Sequence, residues 1–234
     1  MLRAAVPPAG RNRELDGSAS VAMDPGEREQ LERDIRDRYD RGDLQAAASV
    51  AIRGYGPEIF GLLAALHRRE ADASEVFSRF AENLWRGLPS FGWHCSFRTW
   101  AYTVARNAST SYRRQAKRRA EVHVPLPEGS ELSAIQQEVR SETLSYLRTQ
   151  RKTRVLALRE ALSPEDQTLL VLRVDKRLAW NDLARVMHGE EGELADDVVK
   201  KEAARLRKRF QLIKEKLYEL GRREGLVGTR GEDE

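Results

Sequence analysis

The chain is poor in the residues that usually announce chemistry. One cysteine, Cys95, stands among 234 residues, so no disulfide framework can form within the chain and a reducing compartment is expected. The four histidines, His67, His94, His123 and His188, fall in no HxxxH or HExxH spacing. The neighbours His94 and Cys95 are two ligands where a zinc site needs three or four. No glycine-rich phosphate loop follows a strand-like segment and no GxSxG occurs, so the signatures of nucleotide-dependent and serine-nucleophile enzymes are missing. Asp and Glu are plentiful, but they sit at helix-surface spacing, where ion pairs within a helix explain them. No apolar run approaches the roughly 18–20 residues that span a bilayer, and the start MLRAAVPPAG has no apolar signal core. The expectation is a cytoplasmic chain that is not an enzyme, with no cofactor, no metal and no membrane insertion.

A further absence is local. From Ser96 to Arg119 there is no Asp or Glu, while seven Lys/Arg are interleaved with aromatics: SFRTWAYTVARNASTSYRRQAKRR. At helical spacing Phe97, Trp100, Val104 and Ala108 form one apolar stripe. Arg98, Tyr102, Arg106, Ser109 and Arg113 form a second row. A helix that buries the first and offers the second suits a nucleic-acid strand, because cations meet phosphates and flat rings stack on unpaired bases. The plain alternative is a solvated charged face on an amphipathic helix.

Net charge is only +4, so local concentrations of cations, not the total, must attract a polyanion. They lie in Arg98–Arg119 and Lys200–Lys216. Residues 1–24 are rich in Ala, Pro, Gly and Arg without a period and read as a disordered leader, and Met23, directly before DPGEREQ, is a second candidate start. DPGEREQ also has the look of a helix start, and helix is expected over most of Glu27–Arg119, with a break at Gly54–Pro57 inside the Ala/Leu/Ile-rich stretch Ala46–Arg69. The stretch Asp72–Leu88 carries Val76, Phe77 or Phe80, Leu84 and Leu88 on one face. AEVHVPLPEGSE over 120–131 reads as a linker, and Ser133–Leu162 as helix again. Ser163-Pro164-Glu165 has the form of a helix start, leading to helices Pro164–Val174, Trp180–Met187 and Ala195–Gly221. No strand is convincing. In the last helix Val199, Ala203, Leu206, Phe210, Ile213 and Leu217 form a stripe that must be buried, and Lys201, Arg205 and Lys208 form a separate row flanked by Lys200 and Arg207. A short helix, a turn and a basic helix give the helix-turn-helix order, although the turn His188–Leu194 is long. A coiled-coil seam with solvated flanks is the alternative.

Together these elements resemble bacterial sigma factors of the sigma-70 class, in the small extracytoplasmic-function (ECF) group. The resemblance rests on Ser96-Phe97-Arg98-Thr99-Trp100, Tyr102 and Ala105-Arg106-Asn107, on Asp72-Ala73 and the stretch Leu84–Phe91, on Leu178–Ala184, and on Val199-Lys200 with Arg205–Arg209. It implies an all-α fold of two helical domains joined by a flexible linker. These are a leader (1–24), a region 2-like bundle (25–119), a linker (120–150), a region 4-like helix-turn-helix (151–221) and a tail (222–234). It implies core RNA polymerase and promoter DNA as partners, and it makes an anti-sigma factor a candidate third.

Carried onto this sequence, the resemblance assigns polymerase binding to Asp72, Glu75, Arg79, Glu82 and Trp85. Ser78-Arg79 stand where the family usually has a Gln-Glu or Gln-Asp pair, and Ala81 where it has Phe. Recognition and melting of the −10 element fall to Phe91, Trp93, His94, Ser96, Arg98, Tyr102, Arg106, Asn107, Thr110, Arg113 and Arg114. Trp93 fits a core position equally well. Recognition of the −35 element falls to Lys200, Lys201, Ala204, Arg205, Arg207 and Lys208. Two other functions fit parts of the chain: a helix-turn-helix regulator that acts without polymerase, and a helical protein–protein adaptor.

Overall fold

The computed structural model describes residues 23–67, 69–118, 134–140 and 158–226. The fold is all-α, and no strand occurs among the described residues. The leader before Met23, the linker over 120–131, most of Ser133–Leu162 and the end of the tail lie outside them.

Helix α1 spans Pro25–Asp40. Asp24 and Glu27 form a capping box and Pro25 occupies the first turn, where its missing N–H costs nothing. Helix α2 spans Leu44–Leu66, started by the Asp43 side chain, which accepts from the Ala46 N–H at 3.0 Å. The expected break at Gly54–Pro57 is absent: α2 runs straight through Pro57. A proline in a helix interior costs about 3 kcal/mol, and the helix withstands this because most of its circumference is buried. The glycines there serve close packing instead. A Cβ on Gly54 would lie 2.3 Å from Leu31 Cδ2 of α1, and one on Gly56 would lie 2.9 Å from Val139 Cγ1 of the helical segment 134–140.

Helix α3 spans Glu70–Gly87 and ends in a 3-10 turn over Leu88–Ser90. Helix α4 spans Phe97–Arg118. Both phenylalanines of α3, Phe77 and Phe80, are buried with Val76, Leu84 and Leu88. Phe77 packs edge-on against Phe60 of α2, with centroids 5.3 Å apart.

Helix α5 spans Pro164–Leu170, capped by Ser163, and passes into a π turn over Val171–Asp175. Helix α6 spans Trp180–His188 and α7 spans Asp196–Arg223. The stripe expected in the last helix is inward: Val199, Ala203, Leu206 and Ile213 are buried, and Phe210 and Leu217 pack half-buried against the core. The buried apolar residues of the N-terminal helices and of α5–α7 form one continuous cluster, and α6 packs on α4.

Between α2 and α4 lies a buried polar pair. His67 Nε2 and Ser109 Oγ are 2.9 Å apart, and the ring sits edge-on to Tyr112. Burial, helped by the Arg113 charge, pushes the His67 pKa down to about 4. The unfolded chain therefore binds the proton first, so His67 contributes stability that is complete above about pH 6.5 and is lost as pH falls toward 4. The loss by pH 5 is on the order of 1–2 kcal/mol. Urea unfolding at pH 7 and pH 5 should show a midpoint drop that is smaller in His67→Gln; equal drops in the two proteins would remove His67 from the account.

Candidate nucleic-acid interface

The start of α4 is held from three directions. The Ser96 hydroxyl accepts from the Thr99 N–H at 3.1 Å. The Glu32 carboxylate of α1 accepts from the N–H groups of Phe97 and Arg98 at 2.8 and 2.9 Å, and from the Tyr55 hydroxyl at 2.6 Å. An anion at a helix N-terminus is favoured by the exposed N–H groups and the helix dipole. Glu58 of α2 binds the Arg98 guanidinium through two of its nitrogens, and the Arg98 Nη2 also donates to the Lys176 carbonyl at 2.9 Å. Burial works against the Arg98 charge, but the hydrogen bonds with Glu58 outweigh it and raise its pKa.

Three residues expected on the strand-facing row therefore lie inside the protein. Arg98 is 9% exposed and Tyr102 is fully buried. The physical reason is Glu58, which turns the Arg98 position into a buried ion pair. Ser109, also in that row, is buried against His67. The surface remainder of α4 is Arg106 and Asn107, half-buried, then Thr110 and Arg114, exposed. Arg113 is half-buried and donates to the Leu66 carbonyl at 2.7 Å. Burial lowers the pKa of both Arg106 and Arg113, and the charge of Glu165 opposes the shift at Arg106.

The loop before α4 is an aromatic cluster. Phe91 is buried and stacks on Trp100, with centroids 4.6 Å apart. Trp93 has φ 57, a left-handed conformation that is a true outlier for a bulky side chain. It is clamped by Phe91 at 4.7 Å, by the edge-on Tyr39 ring at 5.4 Å and by the Arg36 guanidinium 4.4 Å from its ring centroid. Its buried indole N–H finds no acceptor among the described residues. His94 and Ser96 are exposed. Strain of this kind persists only where the surroundings over-determine it, and the clamp does that here.

The five residues expected to meet polymerase do not form one free patch. Asp72 accepts from the Tyr112 hydroxyl at 2.8 Å. Glu75 and Arg79 pair at 3.1 Å, and Arg79 also binds Gln115 and covers the Tyr112 ring. Glu82 is buried, while Trp85 is half-buried against the core. The α3 surface is thus stitched to the C-terminal half of α4.

All six residues expected at the −35 element, Lys200, Lys201, Ala204, Arg205, Arg207 and Lys208, are exposed along α7. Arg205 is held by Glu202 through two hydrogen bonds at 3.0 and 2.7 Å, and Lys201 pairs with Asp197 at 3.2 Å. The Arg207 guanidinium lies 5.5 Å from the ring centroid of Trp180, the first residue of α6. The Lys201–Asp197 pair is solvent-exposed and therefore weak, and the Arg205 side chain is itself exposed although Glu202 is half-buried, so both cations face solvent where another acceptor can reach them.

Sequence reading missed Glu32 and Glu58. Glu58 was detectable as the one carboxylate in α2, a helix whose only other charged residue is Arg53. Nothing in the sequence marked Glu32 apart from the other acids of α1. Also unforeseen is the placement of the turn after α6, whose Gly189 carbonyl and Glu191 carboxylate meet the Asn107 amide at 2.8 and 3.2 Å. Among the described residues no group of His, Cys, Asp or Glu is arranged to hold a metal ion, and no helix is long and apolar enough to cross a membrane.

The geometry defines a helical scaffold that presents a carboxylate-free basic helix and a second basic helix preceded by a turn. Residues 51–119 match the family described as Sigma-70 region 2. The match runs from the middle of α2 to just past the end of α4 and takes in the aromatic loop. That part of the chain is similar to the domain with which sigma-70 factors take part in transcription initiation. No curated protein matches the chain.

Proposed function

We propose that the chain is a sigma factor of the ECF type: a specificity subunit, not an enzyme, that brings core RNA polymerase to promoters and helps open them. The observation that carries this reading is the Sigma-70 region 2 match across α2–α4, the same helices that hold the strained aromatic loop and the carboxylate-free helix. In this reading α3 docks on polymerase in the cytoplasm. The loop from Phe91 to Ser96 and the outward side of α4, with Arg106, Asn107, Thr110, Arg113 and Arg114, hold the separated non-template strand. Capturing an extruded base offsets the few kcal/mol lost on unstacking it, and Trp93, already fixed out of the ordinary backbone range, requires no further ordering.

Helices α6 and α7 act as the helix-turn-helix, with Lys200, Lys201, Ala204, Arg205, Arg207 and Lys208 toward the −35 major groove. Arg and Lys favour guanine O6 and N7 there, so a guanine-containing −35 element is expected. Arg98 and Tyr102 support α4 from within and do not touch the strand. An anti-sigma partner remains compatible with the exposed surface of α7.

The test is co-elution of the purified chain with bacterial core RNA polymerase on size exclusion, in the absence of DNA. A stable complex is expected. Failure to bind core while specific duplex DNA is still bound would instead establish a helix-turn-helix regulator acting alone.

A further inference from the structure

The loop from Phe91 to Ser96, the seat of the extruded base in the proposed reading, has no strong cation of its own. Residues 87–97, GLPSFGWHCSF, hold no Lys or Arg, and Arg98, which follows, is buried against Glu58. Yet every nucleotide taken into the loop brings a phosphate with it. A cation is laid against the loop from another helix. The Arg36 guanidinium of α1 lies 4.4 Å from the Trp93 ring centroid, and the Arg36 side chain is 47% exposed.

Helix α1 is tied to the loop along one face. Glu32, Arg36 and Tyr39 follow one another at intervals of four and three residues and share that face. At the C-terminal end of the loop, Glu32 accepts from the N–H groups of Phe97 and Arg98 at 2.8 and 2.9 Å. At its N-terminal end, the Tyr39 hydroxyl donates to the Phe91 carbonyl at 3.2 Å, and the Tyr39 ring meets Trp93 edge-on. Arg36 stands between these two ties, so a helix and not a loop backbone sets where its charge sits. Arg36 Nε donates to Asp40 Oδ2 at 2.9 Å. That pair is exposed on both sides and therefore weak, so a phosphate can displace the carboxylate.

We propose that Arg36 is a strand-binding residue: lying on Trp93, its guanidinium takes the phosphate beside the base that the loop captures. The site thus draws a cation from α1, which lies outside the matched residues 51–119. A guanidinium suits the place because it is flat enough to lie on an indole while its N–H edge still meets phosphate oxygens. The inference rests on the reading of the loop as the element that captures the strand.

The test measures binding of a fluorescein-labelled mixed-sequence DNA single strand of about 20 nucleotides by the full chain, across salt concentrations from about 0.05 to about 0.5 M. R36A should lower the slope of log affinity against log salt by about 0.7, and the affinity at about 0.1 M by about fivefold, which is the share of one single-strand phosphate contact counted from about 1 M salt. R36K should keep the wild-type slope. So should R222A, which removes the same charge at an exposed position on α7. A wild-type slope in R36A would overturn the proposal. A weaker affinity with an unchanged slope would mean that Arg36 only props Trp93, and would overturn it too. An equal fall in slope in R36A and R222A would reduce the effect to net charge, with the same consequence. No strand binding by the wild-type chain would instead overturn the reading of the loop as the capturing element, and the role of Arg36 with it.

Discussion

Replacing Glu58 with alanine is expected to cost about 3–5 kcal/mol of folding stability. Glu58 and Arg98 form an ion pair whose side chains are only 6% and 10% exposed. Removing the carboxylate leaves a guanidinium buried with the Lys176 carbonyl as its remaining acceptor among the described residues. A stability of 5–15 kcal/mol is typical of a domain, so the loss is a large share of the total. The pair itself adds little net stability, because the cost of dehydrating two charges offsets most of their attraction. The double variant Glu58→Leu with Arg98→Met should therefore be considerably more stable than Glu58→Ala alone. Chemical denaturation of the wild type and the two variants measures this. A single variant within about 1 kcal/mol of wild type would mean that Arg98 reaches solvent, and α4 would then have a broader outer face than described.

Alanine at Lys201, Arg205 and Lys208 together should weaken holoenzyme activity at a promoter with an intact −35 element by at least about 100-fold, with binding to core polymerase unchanged. Each contact to a base edge accounts for about 1–3 kcal/mol. Each lost phosphate contact should also lower the slope of log affinity against log salt by about one. Arg205→Ala alone should retain polymerase binding and lose most of the −35 dependence. Glu202 holds the Arg205 guanidinium with two hydrogen bonds, so that arm must be released before it can enter the groove. Comparison of an intact with a scrambled −35 sequence checks the assignment. If wild-type protein transcribes the two equally, α7 does not read DNA.

Much of the architecture was legible because helices carry local signals. The Asp24-Pro25 and Ser163-Pro164 starts, the apolar stripe of α7 and the buried row Phe97, Trp100, Val104 and Ala108 in α4 are all where periodicity and capping put them. The continuous α2 was not, because the outcome at Pro57 depends on how much of the helix is buried, which a local proline signal does not report. The inward position of Arg98 and Tyr102 was equally hidden. Periodicity tells which residues share a face but not how many neighbours cover the helix, and Glu58 lies 40 residues from Arg98. The contact of the Asn107 amide with the Gly189 carbonyl spans 82 residues. The length of the turn was visible in the sequence, but its resting place was not.

The most direct test of the account is run-off transcription with bacterial core RNA polymerase on fragmented host DNA, with and without the chain, mapping RNA 5′ ends. New start sites that appear only with the protein and share one −35/−10 pair are the predicted result. An unchanged set of start sites, with a folded protein and a matched core enzyme, would contradict it.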